Sequence, residues 1–149
     1  LRAKVTVAPS FVPELVRRAN LKGVIDAIDF MGPISFKEVI RLMKKSSVVL
    51  MPSKLESFGL PYYEAMALGL PMVVADKPIA HEACGQAVLY AGADDSDAWI
   101  GQVGQLLEKK SMREALGARA RKRYNSIQQE WSWKEVARRY LELLTGIER

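Results

Sequence analysis

Val48-Val49-Leu50-Met51-Pro52-Ser53-Lys54-Leu55-Glu56-Ser57-Phe58-Gly59-Leu60-Pro61-Tyr62-Tyr63-Glu64-Ala65-Met66-Ala67-Leu68-Gly69-Leu70-Pro71-Met72-Val73-Val74-Ala75 is the stretch that decides the fold. Two short apolar runs bound it, Val48–Met51 and Pro71–Ala75, and neither alternates with polar residues. Such runs suit strands covered on both faces, as in a parallel sheet. Between them, Pro61–Leu68 reads as a helix. Pro61 is placed for its first position and Gly69 for its C-terminal cap.

The same alternation extends outward. Val5-Thr6-Val7-Ala8 reads as a strand ended by Pro9-Ser10, and Pro13–Leu21 as a helix with Leu15, Val16 and Ala19 on one side. Ile28-Asp29-Phe30-Met31 reads as a strand closed by Gly32-Pro33. Ser35 and Glu38 have the capping-box spacing, opening a helix that runs to about Lys45. Ala87–Tyr90 is a third buried run. Beyond Asp94 the chain reads as three amphipathic helices, Asp97–Lys109, Met112–Tyr124 and Trp133–Leu144. Strand and helix in alternation, then helices alone, predict an α/β fold: a Rossmann-like doubly wound parallel sheet with helices on both faces and a helical C-terminal tail.

Composition narrows the classes. The chain has 149 residues, 49% of them hydrophobic and 26% charged, which is a one-domain length with enough apolar surface for a core. Disorder and disulfide scaffolds are excluded, since Cys84 is the single cysteine. With one histidine, His81, no His- or Cys-based metal site is expected. No apolar run reaches the ~20 residues of a membrane span, and Leu1-Arg2-Ala3-Lys4-Val5 does not open a secretory signal. The expected setting is cytoplasmic. The net charge of +5 reads either as solvated helix faces or as attraction to a polyanion.

Doubly wound sheets bind ligands at the carboxyl ends of their strands. At such an end, the first turn of the Pro61 helix offers free amides and the positive end of a helix dipole, which together suit an anion. Gly59 lets a ligand approach the backbone. Glu56 lies in the loop and Glu64 about one turn into the helix, and carboxylates accept well from vicinal sugar hydroxyls. An amide cluster between two such acids suits a sugar diphosphate. The plainer reading, in which Glu64 supports the helix dipole and Glu56 is a solvated loop acid, stays open on residue chemistry alone.

Pro52-Ser53, Glu56-Ser57-Phe58-Gly59-Leu60-Pro61, Glu64-Ala65, Gly69, Pro71 and Asp76 together resemble the donor-binding signature of the family 4 (group 1) glycosyltransferases. These are retaining enzymes of the GT-B fold, and Glu56 and Glu64, with seven residues between them, match their two-glutamate motif. Phe30–Ser35 resembles the strand and turn before the helix that leads to the site. Trp131-Ser132-Trp133 with Ala137 and Tyr140 resembles the aromatic entry to the last helix. The resemblance implies that Glu64 binds the ribose of a nucleoside-diphosphate sugar. Glu56, as the catalytic-side acid, would face the donor sugar. Ser57, Phe58, Gly59 and Leu60 would contact sugar and diphosphate, and Met31, Gly32 and Ile34 the base. The donor is a substrate; no cofactor and no metal are implied. Diphosphate departure would be helped by electrostatics rather than by a covalent side-chain step.

The family's Gly-Arg and Lys-Gly clamp is not matched. Lys22-Gly23 imitates the second half, but it lies too close to Gly32 for the intervening helix and strand. Against the family pattern the chain reads as a partial C-terminal donor-binding domain, residues 1–149, without the N-terminal acceptor domain. It also lacks the first strand-helix unit of its own lobe, about 30 residues. The expected partners are the donor, a saccharide or lipid-linked acceptor, the missing lobe and an anionic membrane surface; a homo-oligomer is expected if the fragment stands alone. No nucleic-acid motif is present. A nucleotide-sugar-binding module without turnover, an epimerase of the same architecture and a charge-driven polyanion binder are the other readings. Cys84 is expected to be an inert small hydrophobe and His81 a surface or cap residue at the start of a short helix. Arg119, Arg121, Lys122 and Arg123 should form a solvated face, and Trp131, Trp133 and Tyr140 part of the core.

Overall fold

The computed structural model describes residues 2–6, 10 and 12–146. The chain divides into two compact units, Leu1–Leu42 and Met43–Arg149.

In the first unit, strand β1 (Ala3–Val5) pairs in parallel with β2 (Ile28–Phe30), in the register Ala3↔Ile28, Lys4↔Asp29 and Val5↔Phe30. The strand expected at Val5–Ala8 therefore starts earlier, and Val7 and Ala8 lie outside the described residues. Lys4 faces Asp29 across the pair and its Nζ donates to Oδ2 at 2.8 Å, while Arg2 bonds the other carboxylate oxygen. Opposite charges directly across a pair support that register, and the bonds from Lys4 and Arg2 hold Asp29 below the usual carboxylate range. Helix α1 (Val12–Leu21) buries Ala19. A 3-10 turn at Ile25–Ala27 leads into β2. Helix α2 (Phe36–Lys45) begins with the expected capping box. Ser35 N and Oγ donate to Glu38 Oε2 at 3.0 and 2.8 Å, and Glu38 N donates back to Ser35 Oγ at 3.3 Å.

The second unit runs β3 (Val49–Met51), α3 (Leu60–Leu68), β4 (Met72–Ala75), α4 (Pro78–Cys84), β5 (Leu89–Ala91), α5 (Ser96–Glu108), α6 (Lys110–Glu130) and α7 (Trp133–Gly146). Its strands form a parallel sheet in the order β3-β4-β5. Central β4 is buried throughout. Its side chains alternate between faces. Met72 and Val74 pack with Tyr62, Ala65 and Met66 of α3, Ala80, Ala83 and Cys84 of α4, and Ala120 of α6. Val73 packs on the other side with Ala91, Leu106 of α5 and Leu116 of α6. Helices thus cover both faces of this sheet, as expected of a doubly wound fold.

Four expectations change. The run at Val48–Met51 is not covered on both faces: β3 is the sheet's edge strand, and Leu50 is exposed. The third strand is Leu89–Ala91, because Ala87 N still bonds Cys84 O in the turn that closes α4. Helix α6 extends well beyond Tyr124, to Glu130. Trp131, Trp133 and Tyr140 are exposed, Trp133 to 88%, and no residue of α7 is buried. Periodicity marks an apolar stripe but not whether anything covers it. Arg139 instead stands 5.2 Å above the Trp131 ring. Among the described residues the strands form two sheets, β1-β2 and β3-β4-β5.

Candidate functional site

Three loops leave the carboxyl ends of β3, β4 and β5. The first is the longest, and it delivers the chain into α3 through Gly59, whose φ of 71° is left-handed. A side chain at 59 would be strained there. Its β-carbon would also stand 2.4 Å from the ring of Tyr62, which is buried in the core. Gly59 is therefore required by the fold of the turn itself, where it is buried and the Tyr62 ring fills the space that a side chain would take.

Leu60, not Pro61, is the first helical residue, and Pro61 follows it in the first turn. This narrows the expected amide cluster. Tyr62 N donates to Gly59 O at 2.9 Å and Pro61 has no N–H, so the free donors are those of Gly59 and Leu60. Among the described residues these two amides meet no protein acceptor. They belong to the N-cap and the first residue of α3, at the positive end of its dipole.

Glu56 and Glu64 are both half-buried, and neither joins an ion pair or side-chain hydrogen bond among the described residues. Burial, and after it the Glu56 carboxylate, pushes the Tyr62 hydroxyl above its usual range. Phe58 is exposed and stacks on Tyr63, with ring centroids 5.1 Å apart and planes inclined by 23°. Ser57 and Leu60 are exposed on the same turn. Two acids, two free amides and an exposed aromatic face suit a polar ligand that carries hydroxyls and an anionic group.

Met31, Gly32 and Ile34 belong to the first unit, in the turn that follows β2. Gly32 takes a φ of 62°, and Met31 N donates to Val5 O at 3.0 Å, extending the β1-β2 pairing by one bond.

Sequence reasoning missed two features at the carboxyl ends of the second sheet. Lys54, after β3, pairs with Asp94, after β5, and holds that carboxyl below its usual range. His81 lies within α4 rather than at its start. Its Nε2 is 2.6 Å from Asp76 Oδ1, and its ring stacks on Tyr90 at 4.0 Å between centroids. Tyr90 donates to Gly85 O at 2.6 Å. The available signal was Asp76 at the end of a strand with His81 one helical turn beyond it. Lys22 is exposed after α1, as expected. Cys84 is buried, and burial pushes its thiol up to about 12. Among the described residues, no three His, Cys, Asp or Glu side chains gather as a metal site, and no helix is long and apolar enough to cross a membrane.

Residues 9–123 match the family described as glycosyl transferases group 1. The O-antigen chain mannosyltransferase RfbU of Salmonella typhimurium is 38% identical over 74 residues, which are 50% of this chain and 21% of that protein. A D-inositol 3-phosphate glycosyltransferase of Corynebacterium urealyticum is 33% identical over 128 residues, 84% of this chain and 29% of its own length. The chain thus spans less than a third of these relatives. Among solved structures, Anabaena HepE in complex with UDP superimposes with a TM-score of 0.81 over 98% of this chain and 41% of its own, at 19% identity.

Proposed function

This chain belongs to the group 1 glycosyl transferases, and we infer that it is the donor-binding part of an enzyme that moves a hexose from a nucleoside diphosphate to a saccharide or lipid-linked acceptor with retention. One observation carries the reading: the left-handed turn at Gly59 leaves the amides of Gly59 and Leu60 without a protein acceptor at the positive end of α3, between Glu56 of the loop and Glu64 of the helix, whose carboxylates pair with nothing among the described residues. That set has a donor pair for a diphosphate and acceptors for sugar hydroxyls.

In this reading Glu64 accepts from the ribose hydroxyls and Glu56 from those of the donor sugar, next to the anomeric carbon. Ser57, Phe58, Gly59 and Leu60 line the sugar and diphosphate. As the anomeric bond breaks, charge grows on the departing diphosphate, and the free amides with the α3 dipole stabilise it. Chemistry at the anomeric carbon also needs an acceptor, and the relatives are more than three times longer than the matched segment. The 149 residues alone should therefore bind donor without transferring it.

The test is calorimetric titration of the chain with UDP-, GDP- and ADP-glucose. Saturable binding of one of them is expected. Binding to none, together with salt-sensitive binding to DNA, would replace this reading with a charge-driven polyanion binder. Retention is tested on the longer protein by the anomeric configuration of the product.

A further inference from the structure

The loop that carries Glu56 is held at few points. It leaves β3, the edge strand, and none of residues 53–58 is buried. No backbone hydrogen bond engages residues 53–58 among the described residues. A segment with so little buried contact has little local stability of its own. Among the described residues, an aromatic stack and an ion pair tie it down. Phe58 stacks on Tyr63 where the loop enters α3. Lys54, two residues before Glu56, pairs with Asp94 after β5. Since β4 stands between β3 and β5, this pair reaches across the carboxyl end of the central strand.

Asp94 stands on a fixed turn. Asp95 N donates to Gly92 O at 3.0 Å, and the Trp99 indole Nε1 donates to the same oxygen at 2.9 Å. The Asp95 carboxylate caps α5 by accepting from Ala98 N at 2.9 Å. One end of the pair is thus anchored and the other lies on the loosely held loop, so the pair orders the loop and not the reverse. Both side chains are largely exposed, and pairs of that kind add little to the stability of a whole fold. What this one can do is local: it sets where the chain passes two residues before Glu56.

We propose that Lys54 and Asp94 are positioning residues for the donor site, their ion pair acting as a strut that holds the loop and so the Glu56 carboxylate in place for the donor sugar. The role of Glu56 in this statement rests on the donor-binding reading above; the holding of the loop does not.

The test measures the loop itself. Backbone 15N relaxation gives order parameters for the amides of residues 55–58 on the ps–ns timescale. Values of about 0.85 are expected in the unaltered chain, falling below about 0.6 in Lys54→Met and in Asp94→Asn. The double variant should fall no further than either single one, and Lys54→Arg should keep the loop ordered. Lys77 follows β4 and acts on Asp94 through its charge alone. Lys77→Met, with the same change of charge beside the same acid, should leave the loop as it is. Calorimetry reads the consequence with the best bound of UDP-, GDP- and ADP-glucose and its parent diphosphate. Each single variant should weaken the nucleotide sugar about two- to fivefold and leave the bare diphosphate unchanged. Unchanged order parameters in the single variants, additive losses in the double variant, or an equal loss in Lys77→Met overturn the proposal. Weaker binding of the bare diphosphate by Lys54→Met alone also overturns it, by making Lys54 a ligand contact. If the unaltered chain binds none of these nucleotides, the donor reading fails, while the relaxation data still decide whether the pair holds the loop.

Discussion

Gly117 of α6 lies so close to Gly69 that a β-carbon on residue 117 would stand 2.3 Å from the Gly69 carbonyl oxygen. Gly69 is the left-handed cap of α3, with φ at 67°, and its N–H closes that helix. The two glycines let α6 cross α3 nearly backbone to backbone. Since α3 carries both Glu64 and the turn at Gly59, this contact fixes the element on which the candidate site is built.

Gly117→Ala should therefore destabilise the chain. The clash is with backbone, which cannot swing aside, and overpacking of this kind costs about 1–3 kcal/mol. Gly101→Ala, at an open position within α5, should do the opposite and add about 0.5–1 kcal/mol through helix propensity. Urea unfolding of both variants checks the pair. Equal effects would mean that the α3–α6 crossing is looser than described.

Gly59 separates two causes of strain. Asn tolerates a left-handed φ far better than Ala does. A β-carbon at 59 nevertheless meets the Tyr62 ring at 2.4 Å in either case. Gly59→Ala and Gly59→Asn should both lower the unfolding midpoint and weaken donor binding. Near-normal behaviour of the Asn variant would show that backbone conformation alone accounts for the glycine.

Alkaline pH should weaken the fold. Burial raises Cys84 from its ordinary value of 9.0 to about 12, and Tyr90 from 10.0 to about 12. Between those values the unfolded chain has released protons that the folded chain still holds, so rising pH favours unfolding. The contribution of these two groups should be level below pH 9 and fall from there towards pH 12. Denaturant midpoints at pH 8 to 11 measure this, and Cys84→Ala should make the decline shallower. An unchanged slope in that variant would remove Cys84 from the account.

The helix-strand order was legible because each signal is local. The Ser35–Glu38 box, the Gly69 cap and the run Met72–Ala75 all fold as read. Glu56 in the loop, Gly59 at the N-cap and Glu64 in the helix stand on the elements that their spacing assigned them. The Lys54–Asp94 and Asp76–His81 pairs were not, because they join loops after different strands or depend on the exact turn into α4. Trp133 and Tyr140 misled for a related reason: an amphipathic stripe encodes the face a helix can bury, and coverage depends on what stands opposite. The Lys4–Asp29 pair was not legible either, because only the register brings those residues opposite each other.

The central claim is that Glu64 and Glu56 divide the donor between them. It is tested most directly by calorimetric titration of the preferred nucleotide and nucleotide sugar into the unaltered chain, Glu64→Ala and Glu56→Ala. Loss of a charged hydrogen-bond partner should weaken nucleotide binding by Glu64→Ala at least about tenfold. Glu56→Ala should leave the bare nucleotide bound as before and weaken only the added contribution of the sugar. Equal and negligible effects of the two substitutions would contradict the account.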